Sequence, residues 1–101
     1  MVLYNVTINI EDDVHQEWLQ WMREHHIPKL LLTGLFMDTK LLRLLTEVED
    51  NGTTYSFQYF LDSMEDYLEY ENKYATALRM DHDARYAGKY VAFRTLLEVI
   101  E

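Results

Sequence analysis

At 101 residues, with 49% hydrophobic and 14% aromatic content, the chain has the size of one domain (residues 1–101) and is too apolar for disorder. Nine Lys and Arg stand against 18 Asp and Glu, a formal charge of −9 that repels phosphate backbones and argues against a nucleic-acid partner. The absence of cysteine excludes disulfides, thiol nucleophiles and thiolate metal sites, and fits a reducing, cytoplasmic setting.

The opening stretch MVLYNVTINIEDD has no basic region and is not expected to be a signal peptide. No run of 18 apolar residues exists, so no membrane span is expected. Val2 to Ile10 alternates, with Val2, Tyr4, Val6, Ile8 and Ile10 on one face and Leu3, Asn5, Thr7 and Asn9 on the other, which predicts a strand. Glu11-Asp12-Asp13 stops it, and an Asp here can cap the next helix.

In that helix Val14, Trp18, Trp21, Met22 and His25 form the apolar stripe, while Gln16, Glu17, Gln20, Arg23 and Glu24 form the solvated face. This phase puts His25 toward the sheet and His26 at the surface. Pro28 predicts a kink or break, and Gly34 ends the helix. Leu35 to Glu49 predicts a long second strand, apolar on both faces around Leu41 to Leu45. Asp50-Asn51-Gly52 signals a tight hairpin, and Thr53 to Leu61 is the return strand. Asp62-Ser63 caps a second helix ending near Met80. Asp81 to Ala87 reads as a separate short helix closed by Gly88, and Tyr90 to Ile100 is the last strand.

The order β-α-β-β-α-β predicts an α+β, ferredoxin-like sandwich, a four-stranded antiparallel sheet with both helices on one face. The other face then needs cover, and a second copy of the chain is the simplest. The stretches YNVTINI (4–10), EWLQWMREHHIP (17–28), TGLF (33–36), SMEDY (63–67) and VAFRTLLEVI (91–100) resemble the dimeric α/β-barrel superfamily. More narrowly, they resemble a small bacterial family of uncharacterised domains. The resemblance implies a homodimer and assigns no activity. Haem-degrading members of the superfamily use an Asn on the first strand, a Trp near the third strand and a His on the second helix. Asn5 matches the first and His82 lies in the region of the third. The Trp is missing, because Phe57, Tyr59 and Phe60 occupy that strand.

No GxSxG, P-loop, dinucleotide fingerprint or HExxH occurs. No metal is expected, since the four histidines are badly spaced, and no cofactor is implied. The candidate ligand-binding residues are Asn5, Trp21, His25, Tyr55 and Gln58, with His25 and Asn5 the catalytic candidates. Each has a structural alternative. His25 and Trp21 fit a core, and Asn5 with Ser56 and Gln58 fits a polar network on one sheet face. Arg94 is expected to pair with Glu98, four residues away on the same face. Two readings follow: a homodimer binding a small hydrophobic or cyclic molecule between helix 1 and the sheet, with a cofactor-independent, monooxygenase-like enzyme as its catalytic variant, or a non-catalytic structural or interaction domain.

Overall fold

The computed structural model describes residues 1–46 and 52–101. Strand β1 (Val2–Ile10) lies at the centre of the sheet, hydrogen-bonded antiparallel to β3 (Thr53–Leu61) and to β4 (Tyr90–Glu98). Strand β2 (Phe36–Arg43) pairs antiparallel with β3, giving the order β2-β3-β1-β4. The chain is therefore the expected α+β sandwich, with the helices on one face.

The alternation of β1 and β3 is what makes that face. Tyr4, Val6, Ile8 and Ile10 are buried, as are Tyr55, Phe57, Tyr59 and Leu61, and the pairings Val6 with Phe57 and Ile8 with Tyr55 put both sets on one side. The helices cover it with Trp18, Trp21, Met22, Leu30, Tyr70, Ala75 and Tyr86. Burying a large apolar side chain contributes about 1.5–3 kcal/mol, so this layer dominates the stability.

Each helical layer is one rod interrupted by a wide turn. The first is α1 (His15–Trp21), a π-helical turn (Met22–His26) and α2 (Ile27–Leu32). The second is α3 (Met64–Tyr70), a π-helical turn (Glu71–Ala75) and α4 (Thr76–Tyr86). The helix does not break at Pro28, and its irregularity lies just before it, in the turn Met22–His26. Pro28 sits in the first turn of α2, where its missing N–H is tolerated, and Ile27 before it keeps helical dihedrals. The Ile27 N–H instead reaches five residues back to the Met22 carbonyl. The separate helix expected over Asp81 to Ala87 does not exist either, because α4 continues without a break to Tyr86.

The expected caps hold only in part. Ser63 Oγ accepts from the Asp66 N–H at 3.3 Å and starts α3. Helix α1 has Val14 at its N-cap and no side-chain cap. The acids before it face other partners: Asp13 pairs with Lys89 at 2.9 Å and Asp12 accepts from Thr53 at 3.4 Å. Gly34, at φ +77°, turns the chain out of α2 as expected.

Strand β2 is shorter than the sequence suggests, ending at Arg43, and a bulge lies between Phe36 and Asp38. It is a sheet edge, and Leu42 and Leu44 are exposed rather than covered on both sides. Glu47 to Glu49 of the expected strand, and Asp50 and Asn51 of the expected turn, lie outside the described residues. Gly52, at φ +102°, is bound to glycine by space as well: a Cβ there would sit 2.5 Å from the Ile10 carbonyl oxygen. Among the described residues, no helix is long and apolar enough to cross a membrane.

Candidate functional site

The two wide turns flank a cavity between the helices and the sheet. Tyr4, Val6 and Ile8 of β1, with Phe57 and Tyr59 of β3, line its sheet side. Met22, His26 and Leu30 come from the first helical rod, and Tyr70, Arg79 and His82 from the second. Tyr90, Ala92 and Arg94 of β4 close the set, and Arg94 is exposed, so the edge strand forms the solvent side. About 30 Å³ is open to the centre of a water-sized sphere, room for roughly two waters.

The phase of the first rod decides which histidine is inside. A π turn holds one residue more than an α turn, so everything after it rotates by about 100° relative to a regular helix. Trp18, Met22, His26 and Leu30, four apart throughout, then share the inner side. His25 is exposed. The expectation that His25 points to the sheet and His26 to solvent is thus reversed.

His82 is buried between both rods. The Trp18 indole Nε1–H donates to His82 Nε2 at 2.9 Å, which leaves the ring proton of the neutral form on Nδ1, 3.6 Å from Asp83 Oδ1. Tyr90 stands edge-on to the His82 ring at 4.6 Å between centroids, and its hydroxyl donates to Asp83. His26 stacks obliquely on Trp21 at 5.7 Å and lies 5.9 Å from His82. Its Nδ1 is buried and has no hydrogen-bond partner among the described residues.

Both histidines resist charging. Burial pulls His26 down to about 4, with neighbouring His82 adding to the effect and Asp81 opposing it. Burial also lowers His82, against the pull of Asp83. At neutral pH the cavity therefore presents two uncharged imidazoles.

The charged members differ in how they are satisfied. Arg79 donates to Glu71 at 2.5 and 3.3 Å and to the Tyr4 hydroxyl at 3.2 Å. Burial penalises its charge, but the Glu71 and Tyr4 bonds outweigh this and raise its pKa. Burial pushes Tyr59 and Tyr70 well above the normal phenol range. The expected Arg94–Glu98 ion pair is not formed, and among the described residues Arg94 has no side-chain partner. Arg94 pairs across the sheet with Val6, whereas Glu98 pairs with Val2, and positions four residues apart on a strand lie about 13 Å apart.

The five sequence candidates do not converge. Asn5 and Gln58 lie on the opposite sheet face, paired across β1 and β3. There Asn5 donates to Thr7 at 3.1 Å and Thr95 at 3.2 Å and accepts from Ser56 at 2.5 Å, while Gln58 donates to Ser56 at 3.5 Å. Tyr55 is buried on the helix side, its hydroxyl 2.6 Å from His15 Nε2, away from the cavity. Trp21 backs the cavity through His26 and His82 and lies under Arg85, 5.4 Å from its guanidinium carbon. His25 lies outside it. The imidazole and guanidinium side chains that do line it, His26, His82, Arg79 and Arg94, were not among these five, and of these four the superfamily resemblance points to His82 alone. The four-residue spacing of Trp18, Met22, His26 and Leu30 was the available signal for His26. Among the described residues, no cluster of three or more His, Asp or Glu could hold a metal.

Fold and cavity together define a ferredoxin-like α+β domain with a small, partly polar cavity under its helices. The chain belongs to a family described as a domain of unknown function, DUF4286, whose model matches residues 1–100. No curated protein matches it. Among solved structures it is similar to an ethyl tert-butyl ether D (EthD) family protein from Bacillus halodurans C-125, with TM-score 0.73, 13% identity, and 99% of this chain and 100% of that one covered. It is also similar to a dimeric ferredoxin-like protein from an uncultured marine organism, with TM-score 0.72, 9% identity and coverage of 100% and 96%. A third is an antibiotic biosynthesis monooxygenase, with TM-score 0.63, 13% identity and full coverage of both chains. At these identities the likeness is one of fold.

Proposed function

We propose that this is a homodimeric protein that binds a small hydrophobic or cyclic molecule in the cavity between its helices and sheet. The observation that carries the reading is His26 Nδ1, a buried ring nitrogen without a partner among the described residues, in an aromatic-walled cavity. Buried polar atoms are nearly always paired, and an unpaired one aimed at a cavity marks where a ligand or water belongs. Support also comes from the two π turns bordering the cavity, since such turns concentrate at functional sites.

The dimer is supported by the uncovered sheet face. Val91, Phe93 and Leu97 of β4 and Leu42 of β2 are exposed there, around the Asn5 network. The similar marine protein is itself described as dimeric. A cytoplasmic, bacterial setting agrees with the cysteine-free chain and the family resemblance.

The second reading, a structural or interaction domain, draws on the small enclosed volume and on Asn5, whose amide is taken up by its neighbours. Screening a fragment library of ring compounds by amide NMR separates the two. Ligand binding predicts saturable shifts at Met22, His26 and His82. Shifts confined to the outer sheet face, or none, support the structural reading.

A further inference from the structure

The chain carries twice as many acids as bases, yet among the described residues no Asp or Glu lines the cavity, while two arginines and two histidines do. Of the two arginines, Arg79 is taken up by Glu71 and Tyr4. Arg94 is without a side-chain partner among the described residues, on the strand that forms the solvent side. The remaining walls are apolar side chains, Met22, Leu30, Phe57 and Ala92 among them, and four tyrosines.

We infer that the ligand carries a carboxylate, received in the enclosed space by the Arg94 guanidinium with His26 Nδ1 as a second donor, and that its apolar body lies toward β4, against Tyr90 and Ala92. This rests on the ligand-binding reading above and deepens it. An unpaired guanidinium offers two parallel donors that match the two oxygens of a carboxylate. Neutral His26 can carry its one ring proton on Nδ1 and donate it, since no protein acceptor competes for that atom. The enclosed space suits a group of a few atoms, with the larger part of the ligand toward β4. A cation would find no counter-charge in the cavity wall. A neutral ring compound would leave Arg94 as it is.

The experiment compares benzoate with benzamide, which are close in shape and differ in charge, by amide NMR titration of the wild type, Arg94→Gln, Arg94→Lys and His26→Gln. The wild type is expected to bind benzoate at least tenfold more tightly than benzamide, with shifts at Met22, His26 and His82. Arg94→Gln is expected to remove that preference, Arg94→Lys to retain it, and His26→Gln to weaken benzoate more than benzamide. Arg94 is exposed, so its variants are expected to keep the native spectrum; should Arg94→Gln not fold, the wild-type ratio and the His26→Gln titration decide. Equal affinities for the two compounds at the cavity overturn the anion inference and leave the cavity as a binding site. Displacement of benzoate by inorganic phosphate in the same concentration range overturns the choice of carboxylate. No saturable shift with either compound overturns this inference and the ligand-binding reading together.

Discussion

Trp18 donates its indole N–H to Nε2 of His82, 64 residues away, at 2.9 Å in the core. This bond ties the two helical rods together and fixes the neutral tautomer of a histidine that lines the cavity. Protonating Nε2 would break it, so the bond and the low pKa of His82 support each other.

Trp18→Phe tests the tie. It keeps an aromatic ring against Phe57 but leaves a buried acceptor on His82 unpaired, a loss of about 1–3 kcal/mol from the hydrogen bond alone. Denaturant unfolding is expected to show a loss of at least that size, with the slope unchanged. A change below 0.5 kcal/mol would mean that the bond does not form.

The helix phase has its own test in two adjacent histidines. His25→Ala, at an exposed position, is expected to change stability by no more than about 0.5 kcal/mol. His26→Ala removes a ring packed on Trp21 and His82 and is expected to cost about 1–3 kcal/mol. Equal melting shifts, or the reverse order, would restore the regular-helix phase.

Much of the fold was legible in the alternation of Val2 to Ile10 and Thr53 to Leu61, because a strand's period of two cannot slip without exposing its aromatics. The site was less legible for a specific reason. A regular 3.6-residue period places His25 inside, and nothing local to Met22–His26 announces a wide turn except the Pro28 that follows it. That one extra residue moves the histidine that matters by one position. His82 was legible only through the superfamily resemblance, because the acids around it read as the start of a separate helix but lie inside α4. The candidates Asn5 and Gln58 were placed together correctly, on a face whose polar groups satisfy one another.

Acid sensitivity follows from the histidines. The folded pKa of His26, about 4, lies below the ordinary value of 6.5, so below about pH 6.5 the unfolded chain binds the proton that the folded chain refuses. Stability is therefore expected to fall as pH drops from about 6.5 toward 4, by up to about 3 kcal/mol from His26. Unfolding midpoints at pH 7 and pH 5 check this. His26→Gln is expected to flatten the slope, and an unchanged slope would show that His26 charges freely in the folded state.

The open face predicts the assembly. Phe93, 60% exposed and opposite Thr7, stands beside the Asn5 network. Sedimentation at micromolar concentration is expected to give a dimer for the wild type and a folded monomer for Phe93→Glu, which places a charge in the apolar centre of the contact. A wild type that sediments only as a monomer would end the dimer reading.

The cavity as a ligand site is tested most directly by the crystal structure of the protein soaked in benzoate. The predicted result is density for the carboxylate against Arg94 and His26 Nδ1, with the ring toward β4 beside Tyr90 and Ala92. A cavity still closed by its own side chains, with His26 Nδ1 bonded to protein and benzoate found only elsewhere, would contradict it.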